Sequence, residues 1–214
     1  MSAATTMAVG AAEPRIIRHH LVDRLFHWIM AAATFALLAT GLSVALGWEF
    51  AWLEIHWVAG LVLTAVVVLH IVRASIWQPL SRMWIPPGEL AANVAHPMNP
   101  PKPGKYSVAQ RLMHHAVTVF SLTAIVSGLL MLKRVNQPLV LRDPYWLSAE
   151  TWGWVYVLHG LAALVFVSLI ILHVYFAIRP EKLFYLRSMI LGWITPQELE
   201  ANHDPRRWSG DGAA

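Results

Sequence analysis

The sequence contains no cysteine among its 214 residues, and only 13% of its residues are charged. The lack of cysteine excludes disulfides, iron–sulfur clusters held by this chain, thiolate zinc sites and cysteine nucleophiles. The scarcity of charge, together with a hydrophobic fraction of 57%, excludes an ordinary soluble domain. The composition therefore predicts a membrane protein whose metal chemistry, if it has any, rests on its eleven histidines, its methionines or its carboxylates.

Four apolar runs are long enough to cross a bilayer as helices of about 20 residues or more. They lie at about 25–47, 52–77, 108–132 and 152–178. We expect helices because an open chain in lipid must satisfy its backbone hydrogen bonds within each segment. The predicted fold class is an all-α integral membrane protein, a four-transmembrane-helix bundle with interfacial segments beside it.

Lysine and arginine are distributed unequally between the two ends of these predicted helices. Thirteen of the sixteen lie at the end that carries both termini, and three, Lys133, Arg134 and Arg142, lie at the other end. Positive charge is typical of cytoplasmic segments, so we predict that both termini are cytoplasmic, in a bacterial inner membrane. The positive charges flank helices and form no contiguous patch beside stacking aromatics, which argues against nucleic acid as a partner.

The flanking segments divide the chain into three parts. Residues 1–14 are small and polar and are predicted to be a disordered tail, without the pattern of a signal peptide. Residues 15–180 hold the four helices. Residues 181–214 form a cytoplasmic part, in which 181–201 is predicted to be an amphipathic interfacial helix. The proline-rich connection between the second and third helices is predicted to be extended, apart from a short helix near 88–96.

Histidines recur at a fixed spacing in two of the predicted helices. His56 and His70, and likewise His159 and His173, are fourteen residues apart with no charged residue between them. Fourteen residues of α-helix rise about 21 Å and complete about four turns, so both histidines lie on nearly the same face at two depths. Ionisable side chains inside a membrane usually mark function, and imidazole is a common axial ligand of haem iron. The spacing predicts two haems b, one near each membrane surface.

The residues alone leave the ligand set open at the cytoplasmic end. His56 and His159 fall near the outer surface, whereas His27, His70 and His173 fall at the cytoplasmic level, where three candidates compete for two axial positions. Another interpretation has no haem, and treats the histidines as interhelical hydrogen-bond partners or as the proton relay of a cofactor-free membrane anchor. A haem absorbance spectrum distinguishes the two interpretations.

Five motifs together resemble the gamma subunit of membrane-bound formate dehydrogenase. They are VDRLFHW, IHWVAGL, GKYSVAQR, LHGLAAL and LHVYFAI, in this order across about residues 15–208. The gamma subunit is a cytochrome b of a wider family that includes the cytochrome b subunits of nickel–iron hydrogenase and thiosulfate reductase. The resemblance implies an electron-transfer subunit whose partners are an iron–sulfur beta subunit and a catalytic alpha subunit. The alternatives are a hydrogenase or another molybdoenzyme as the partner, and a stand-alone diheme cytochrome b.

The resemblance also implies which histidines hold each haem. The histidines that match the outer-haem ligands of the family are His56 and His159, and those that match the inner-haem ligands are His27 and His173. His70 lies where the family pattern does not require histidine, and it is the alternative inner ligand. In this interpretation the chain oxidises no substrate itself, and its own chemistry is limited to reducing a quinone.

The motif before the third helix resembles the family's quinone-binding pattern, here Lys105-Tyr106-Ser107-Val108-Ala109-Gln110. The resemblance implies that menaquinone or ubiquinone binds on the cytoplasmic side near Ser107, Ala109, Gln110 and His173. Two positions depart from the family, because Ser107 replaces an asparagine and Ala109 replaces a glycine. Serine is also a favoured residue at a helix N-cap, so Ser107 alternatively serves only to begin the third helix.

Overall fold

The computed structural model describes residues 14–208, which form seven α-helices and a two-stranded sheet. The helices are α1 (Leu21–Ser43), α2 (Trp52–Trp77), α3 (Pro87–Ala95), α4 (Val108–Met131), α5 (Ala149–Ile178), α6 (Leu183–Leu191) and α7 (Pro196–Asn202). The strands β1 (Ile16–Ile17) and β2 (Trp193–Ile194) pair antiparallel. The tail predicted at 1–14 lies, except for its last residue, outside the described residues.

Four of the helices are long and apolar enough to cross a membrane: α1, α2, α5, and α4 with the turn that follows it. Their 23 to 30 residues rise about 34 to 45 Å, which exceeds a hydrocarbon core of about 30 Å. Only 6–11% of the residues in their most apolar windows are buried inside the protein, so their apolar surfaces face outward, as contact with lipid requires. The predicted all-α four-helix membrane fold is confirmed.

Two of the spanning helices have other boundaries than the hydrophobic pattern predicts. The first helix runs over Leu21–Ser43 and not 25–47, because polar contacts stabilise its first turn: Asp23 pairs with Arg73 of α2. Residues 44–47 form a turn that ends at Gly47, whose positive φ of 69° does not continue a helix. The fourth spanning helix begins at Ala149 and not near 152, because the Ser148 hydroxyl accepts a hydrogen bond from the backbone of Thr151.

The C-terminal segment 181–201 forms two short helices and not the single amphipathic helix expected. Gly192, with a φ of 95°, ends α6 in the left-handed conformation that terminates many helices. A Cβ at this position would lie 2.9 Å from the carbonyl oxygen of His19, so only glycine fits without a shift. The chain then forms β2, and α7 begins with a reciprocal capping box between Thr195 and Glu198.

Distant parts of the chain meet in a polar cluster that we call the inner cap, formed by Arg18, Gly104, Lys105 and His203. The Arg18 guanidinium is buried and donates to the carbonyl oxygen of Lys105 at 3.0 Å. It also lies 2.9 Å from Nε2 of His203, whose Nδ1 lies 2.7 Å from the carbonyl oxygen of Gly104. A carbonyl only accepts, so Nδ1 carries the proton and Nε2 accepts from Arg18. Burial lowers the pKa of His203 to about 4, and the charge of Arg18 adds to this shift.

Candidate functional site

Six histidines of the spanning helices face one another in three pairs. The ring centroids are 6.1 Å apart in His56–His159, 6.2 Å apart in His27–His173 and 6.5 Å apart in His70–His114. The first pair lies in the N-terminal halves of α2 and α5, which we call the outer end; the other two pairs lie at the opposite, inner end. Two imidazole nitrogens that each lie about 2 Å from one metal place their ring centroids roughly 6 Å apart. Each pair therefore has the separation of two axial ligands.

At the outer end, hydroxyl groups of neighbouring helices fix the ring of each histidine. Thr40 Oγ1 lies 2.9 Å from Nδ1 of His56, and Ser127 Oγ lies 2.9 Å from Nδ1 of His159. Each hydroxyl has one proton, and each donates it at 2.6 Å to the carbonyl oxygen four residues earlier in its own helix. The hydroxyl oxygens must therefore accept from Nδ1–H of the histidines. This tautomer leaves both Nε2 lone pairs available to a metal.

Two glycines follow these hydroxyl residues and lie against the same rings. A Cβ built on Gly41 would lie 3.4 Å from Cε1 of His56, and one built on Gly128 would lie 3.2 Å from Cε1 of His159. The backbones of α1 and α4 therefore support the two outer rings directly. Paired neutral imidazoles with fixed tautomers are the donor set that haem iron takes, so the residues present fit haem b.

The inner histidines have no such hydroxyl support on α1 and α2. Nδ1 of His27 and Nδ1 of His70 are both buried, and among residues 14–208 neither has a hydrogen-bond partner. The ring of His27 faces His173, whereas the ring of His70 contacts the edge of Phe26 and faces His114. The structure therefore brings His27, and not His70, opposite His173.

The separation of the helices leaves room between the ligand-bearing segments. Helix α1 packs against α2, and α4 packs against α5, but within the described part of the chain neither α1 nor α2 packs closely against α5. The pairs His56–His159 and His27–His173 span these two wider gaps. A flat macrocycle ligated from both sides requires such a separation, since direct helix contact occurs at interaxial distances of about 8–10 Å.

The region predicted to bind quinone has a definite local structure. Ser107 is the N-cap of α4: its hydroxyl accepts from the backbone of Gln110, and the Gln110 side chain accepts from the backbone of Ser107. Ala109 is exposed. A cavity of about 620 Å³ lies beside the motif, and its lining includes Lys105 and Tyr106 but not the later residues of the motif. Ser107 therefore caps α4, and its contact with quinone stays a prediction.

The facing histidines belong to a sequence repeat that is more extensive than the fourteen-residue spacing of histidines in α2 and α5. Helices α1 and α4 both carry the pattern R-L-x-H near their start, at residues 24–27 and 111–114. Thirteen residues after each of these histidines comes a hydroxyl residue followed by glycine, at residues 40–41 and 127–128. Sequence analysis did not identify Thr40, Ser127 or the partner of His70 as site residues, although this second spacing would have predicted them.

A comparison with protein-family models identifies the family of the chain. The model described as prokaryotic cytochrome b561 matches residues 18–192, well over half of the chain. The matched range contains all four spanning helices and all six facing histidines. A search of curated proteins found no significant match.

Proposed function

Because the chain belongs to the prokaryotic cytochrome b561 family, and is therefore a membrane protein that binds haem b and transfers electrons, we propose that it is the cytochrome b subunit of a dehydrogenase. The observation that carries the proposal is the presence of facing histidine pairs at both ends of one bundle, at 6.1 Å and 6.2 Å. In the proposed assignment His56 and His159 hold an outer haem b, and His27 and His173 hold an inner haem b. Each bound haem supplies a one-electron carrier at its own depth.

The residues of the chain position these carriers and control their surroundings. The hydroxyls of Thr40 and Ser127 hold the outer imidazoles in the tautomer that can bind a metal. The hydrogen bond to each ring also makes its Nε2 a more basic metal ligand. The apolar spanning helices keep water away from the histidines, and this low dielectric tunes the reduction potentials. The chain's contribution is therefore orientation and electrostatics, as is typical of proteins that carry a redox cofactor.

The proposed electron path runs from outside to inside. Because the chain has no cysteine to hold a cluster, electrons enter at the outer haem from an iron–sulfur beta subunit. A catalytic alpha subunit supplies them by oxidising formate or, as the alternative, hydrogen or the substrate of another molybdoenzyme. The uneven distribution of lysine and arginine supports placing the inner end and both termini in the cytoplasm, with the protein in a bacterial inner membrane.

At the inner end we place the reduction of a quinone, menaquinone or ubiquinone, to the quinol, which consumes two electrons and two protons from the cytoplasm. The Lys105–Gln110 segment at the start of α4 and His173 support this location. Because Ser107 and Gln110 cap α4, Ser107→Ala removes both the cap and the proposed quinone contact. Ser107→Asn keeps a good N-cap and restores an amide at this position. We expect quinone-dependent haem reoxidation to slow in Ser107→Ala and to be retained in Ser107→Asn.

Isolation of the chain from native membranes tests the proposal as a whole. We expect a large catalytic subunit and an iron–sulfur subunit to copurify, and formate to reduce the haems of the complex. His159→Ala should block reduction of the inner haem by formate while dithionite still reduces it. Haems in a chain that copurifies with no other subunit would instead support the stand-alone diheme cytochrome. If hydrogen and not formate reduces the haems, hydrogen replaces formate as the proposed electron source and the proposed electron path is unchanged.

A further inference from the structure

The cavity of about 620 Å³ beside the start of α4, which we call the inner cavity, has a strongly basic lining. Its walls come from the turn after α2, the start of α3, the segment before α4 and the residues after α7. Its volume lies within the range of about 300–1,000 Å³ that is typical of ligand pockets. Within residues 14–208, its charged lining residues are four cations and one anion: Arg82, Lys105, Arg111 and Arg207, with Glu89. The lining therefore has an excess of three positive charges.

The one carboxylate of this lining is shared between two of the cations. Oε1 of Glu89 lies 2.5 Å from Nη2 of Arg111, and its Oε2 lies 3.1 Å from Nη2 of Arg207. The Glu89 side chain is only 11% exposed, so both contacts lie inside the protein. Like charges held close together at a partly buried site repel one another, and a bound anion relieves that repulsion. The lining thus suits a ligand with negative charge.

Arg111 is buried at the cavity and is held by several hydrogen bonds. Its Nη1 donates to the carbonyl oxygen of Trp84 at 2.7 Å, and its Nη2 donates to Glu89 and, at 3.2 Å, to the carbonyl oxygen of Tyr106. Its Nε is buried without a hydrogen-bond partner among residues 14–208. A buried donor of a charged group is costly when nothing accepts from it, so we expect an acceptor that the chain does not supply.

We propose that the inner cavity binds a phosphate group, and that this group belongs to an anionic phospholipid of the surrounding membrane. Phosphate oxygens accept several charge-assisted hydrogen bonds, and arginine side chains bind them in a planar, bidentate geometry. A quinone carries no charge and would leave the positive charge of the lining uncompensated. The proposal therefore goes beyond the proposed function and does not depend on the electron path.

The apolar rim of the cavity favours a lipid over a soluble phosphate compound. The lining residues Leu80 and Trp84 are 66% and 72% exposed, and Trp77, at the end of α2, is 71% exposed. Tryptophan is typical of the boundary between membrane and water, so we expect the rim to lie where acyl chains begin. The phosphate of a lipid can then enter the cavity while its acyl chains contact these side chains. Basic pockets beside spanning helices on the cytoplasmic side are known to bind anionic headgroups.

Lipid binding to the full-length protein in mild detergent tests the proposal. We expect native mass spectrometry to show tighter binding of phosphatidylglycerol than of zwitterionic phosphatidylcholine. Arg82→Gln and Arg207→Gln should each weaken the binding of phosphatidylglycerol by about fivefold, the effect of one cation beside an anionic lipid. Arg206→Gln is the matched control: it removes the same charge from an exposed neighbour of Arg207 that does not line the cavity, and it should leave binding unchanged.

Three results of this experiment would overturn the proposal. They are equal affinity for the two lipids, unchanged affinity in both cavity variants, and equal weakening in the cavity variants and in Arg206→Gln. The haem absorbance of each variant verifies that it is folded. Arg207→Gln alters a side chain that is 44% exposed, so it should fold even if Arg82→Gln does not.

Inorganic phosphate distinguishes the two sources of the phosphate group. The thermal midpoint of the protein in detergent is measured with phosphatidylglycerol and, separately, with sodium phosphate against sodium chloride of equal ionic strength. We expect phosphatidylglycerol to raise the midpoint of the wild type, and to raise that of Arg82→Gln less, whereas sodium phosphate should have no effect of its own. Stabilisation by sodium phosphate that Arg82→Gln abolishes would assign the cavity to a soluble phosphate compound and overturn the lipid as its ligand.

Discussion

The two ends of the bundle hold their histidines in different ways. At the outer end one facing pair is fixed by hydroxyls and supported by glycine backbones from the neighbouring helices. At the inner end two facing pairs lie side by side, with buried ring nitrogens on His27 and His70 that lack hydrogen-bond partners among the described residues. The comparison shows that a repeat can supply facing histidines at both ends while neighbouring residues decide how firmly each ring is oriented.

Removing a ligand gives the largest expected effect and tests whether the two ends act independently. His159→Ala should abolish the outer haem, because its partner alone cannot provide two axial nitrogens, and should leave the inner haem spectrum intact. His27→Ala should remove the inner haem and leave the outer one. Redox titration of the α-band separates the two signals. Loss of all haem in either variant would show that the ends are not independent sites.

Removing the hydroxyls tests whether they fix the orientation of the histidine rings at the outer end. Thr40→Val and Ser127→Ala should each weaken outer-haem binding by about 10- to 100-fold, the usual cost of losing a partner of a ligating histidine. Haem transfer to apomyoglobin measures this loss. Thr64→Val is the matched control, because the Thr64 hydroxyl bonds to the carbonyl oxygen of Gly60 within its own helix. An equal loss in the control would contradict a specific role of Thr40.

Adding a methyl group tests the glycine support of the same rings. Gly128→Ala would place Cβ 3.2 Å from Cε1 of His159, which forces the ring to move, whereas Gly41→Ala leaves 3.4 Å to His56. Overpacking typically costs about 1–3 kcal/mol, so we expect a lower thermal midpoint and a shifted outer-haem potential in Gly128→Ala. The effect of Gly41→Ala should be smaller. The reverse order would show that the ring of His159 has more freedom than the structure indicates.

The smallest expected effect concerns the inner cap and its dependence on pH. Burial lowers the pKa of His203 to about 4, below the 6.5 of an exposed histidine, so between these values the unfolded chain binds the proton and the folded chain does not. Stability of the inner cap should therefore fall as pH decreases from 6.5 towards 4. Burial lowers the pKa of His19 to about 3, which acts in the same direction. His203→Gln should reduce the dependence of this stability on pH.

Amide hydrogen exchange at β1 and β2 measures this loss, since exchange there should accelerate at low pH while the outer ends of the helices stay protected. Equal acceleration at both ends would show global destabilisation and not a local effect of the cap. If the pH dependence of exchange at β1 and β2 is the same in His203→Gln as in the wild type, other titrating groups cause it.

The sequence predicted the features that depend on local pattern. Hydrophobic length predicted four spanning helices, and the fourteen-residue spacing predicted histidines at two depths, as His56 and His70 show. It could not predict which rings face each other, because that depends on how helices far apart in sequence pack together. The repeat of α1 in α4 marks His114 and Ser127 as candidates, but only the packed helices show that His114 faces His70 and that Ser127 contacts His159. The inner cap joins Arg18 to His203 across 185 positions, a distance over which no local pattern carries information.

One measurement tests the central claim that histidines at the two ends hold separate haems b. The wild type, His159→Ala and His27→Ala, purified as full chains, are compared by reduced-minus-oxidised spectra and haem content per chain. We expect haem b in the wild type and the loss of one haem, with a different potential, in each variant. A wild type without haem b, or variants that both retain the full number, would contradict the account.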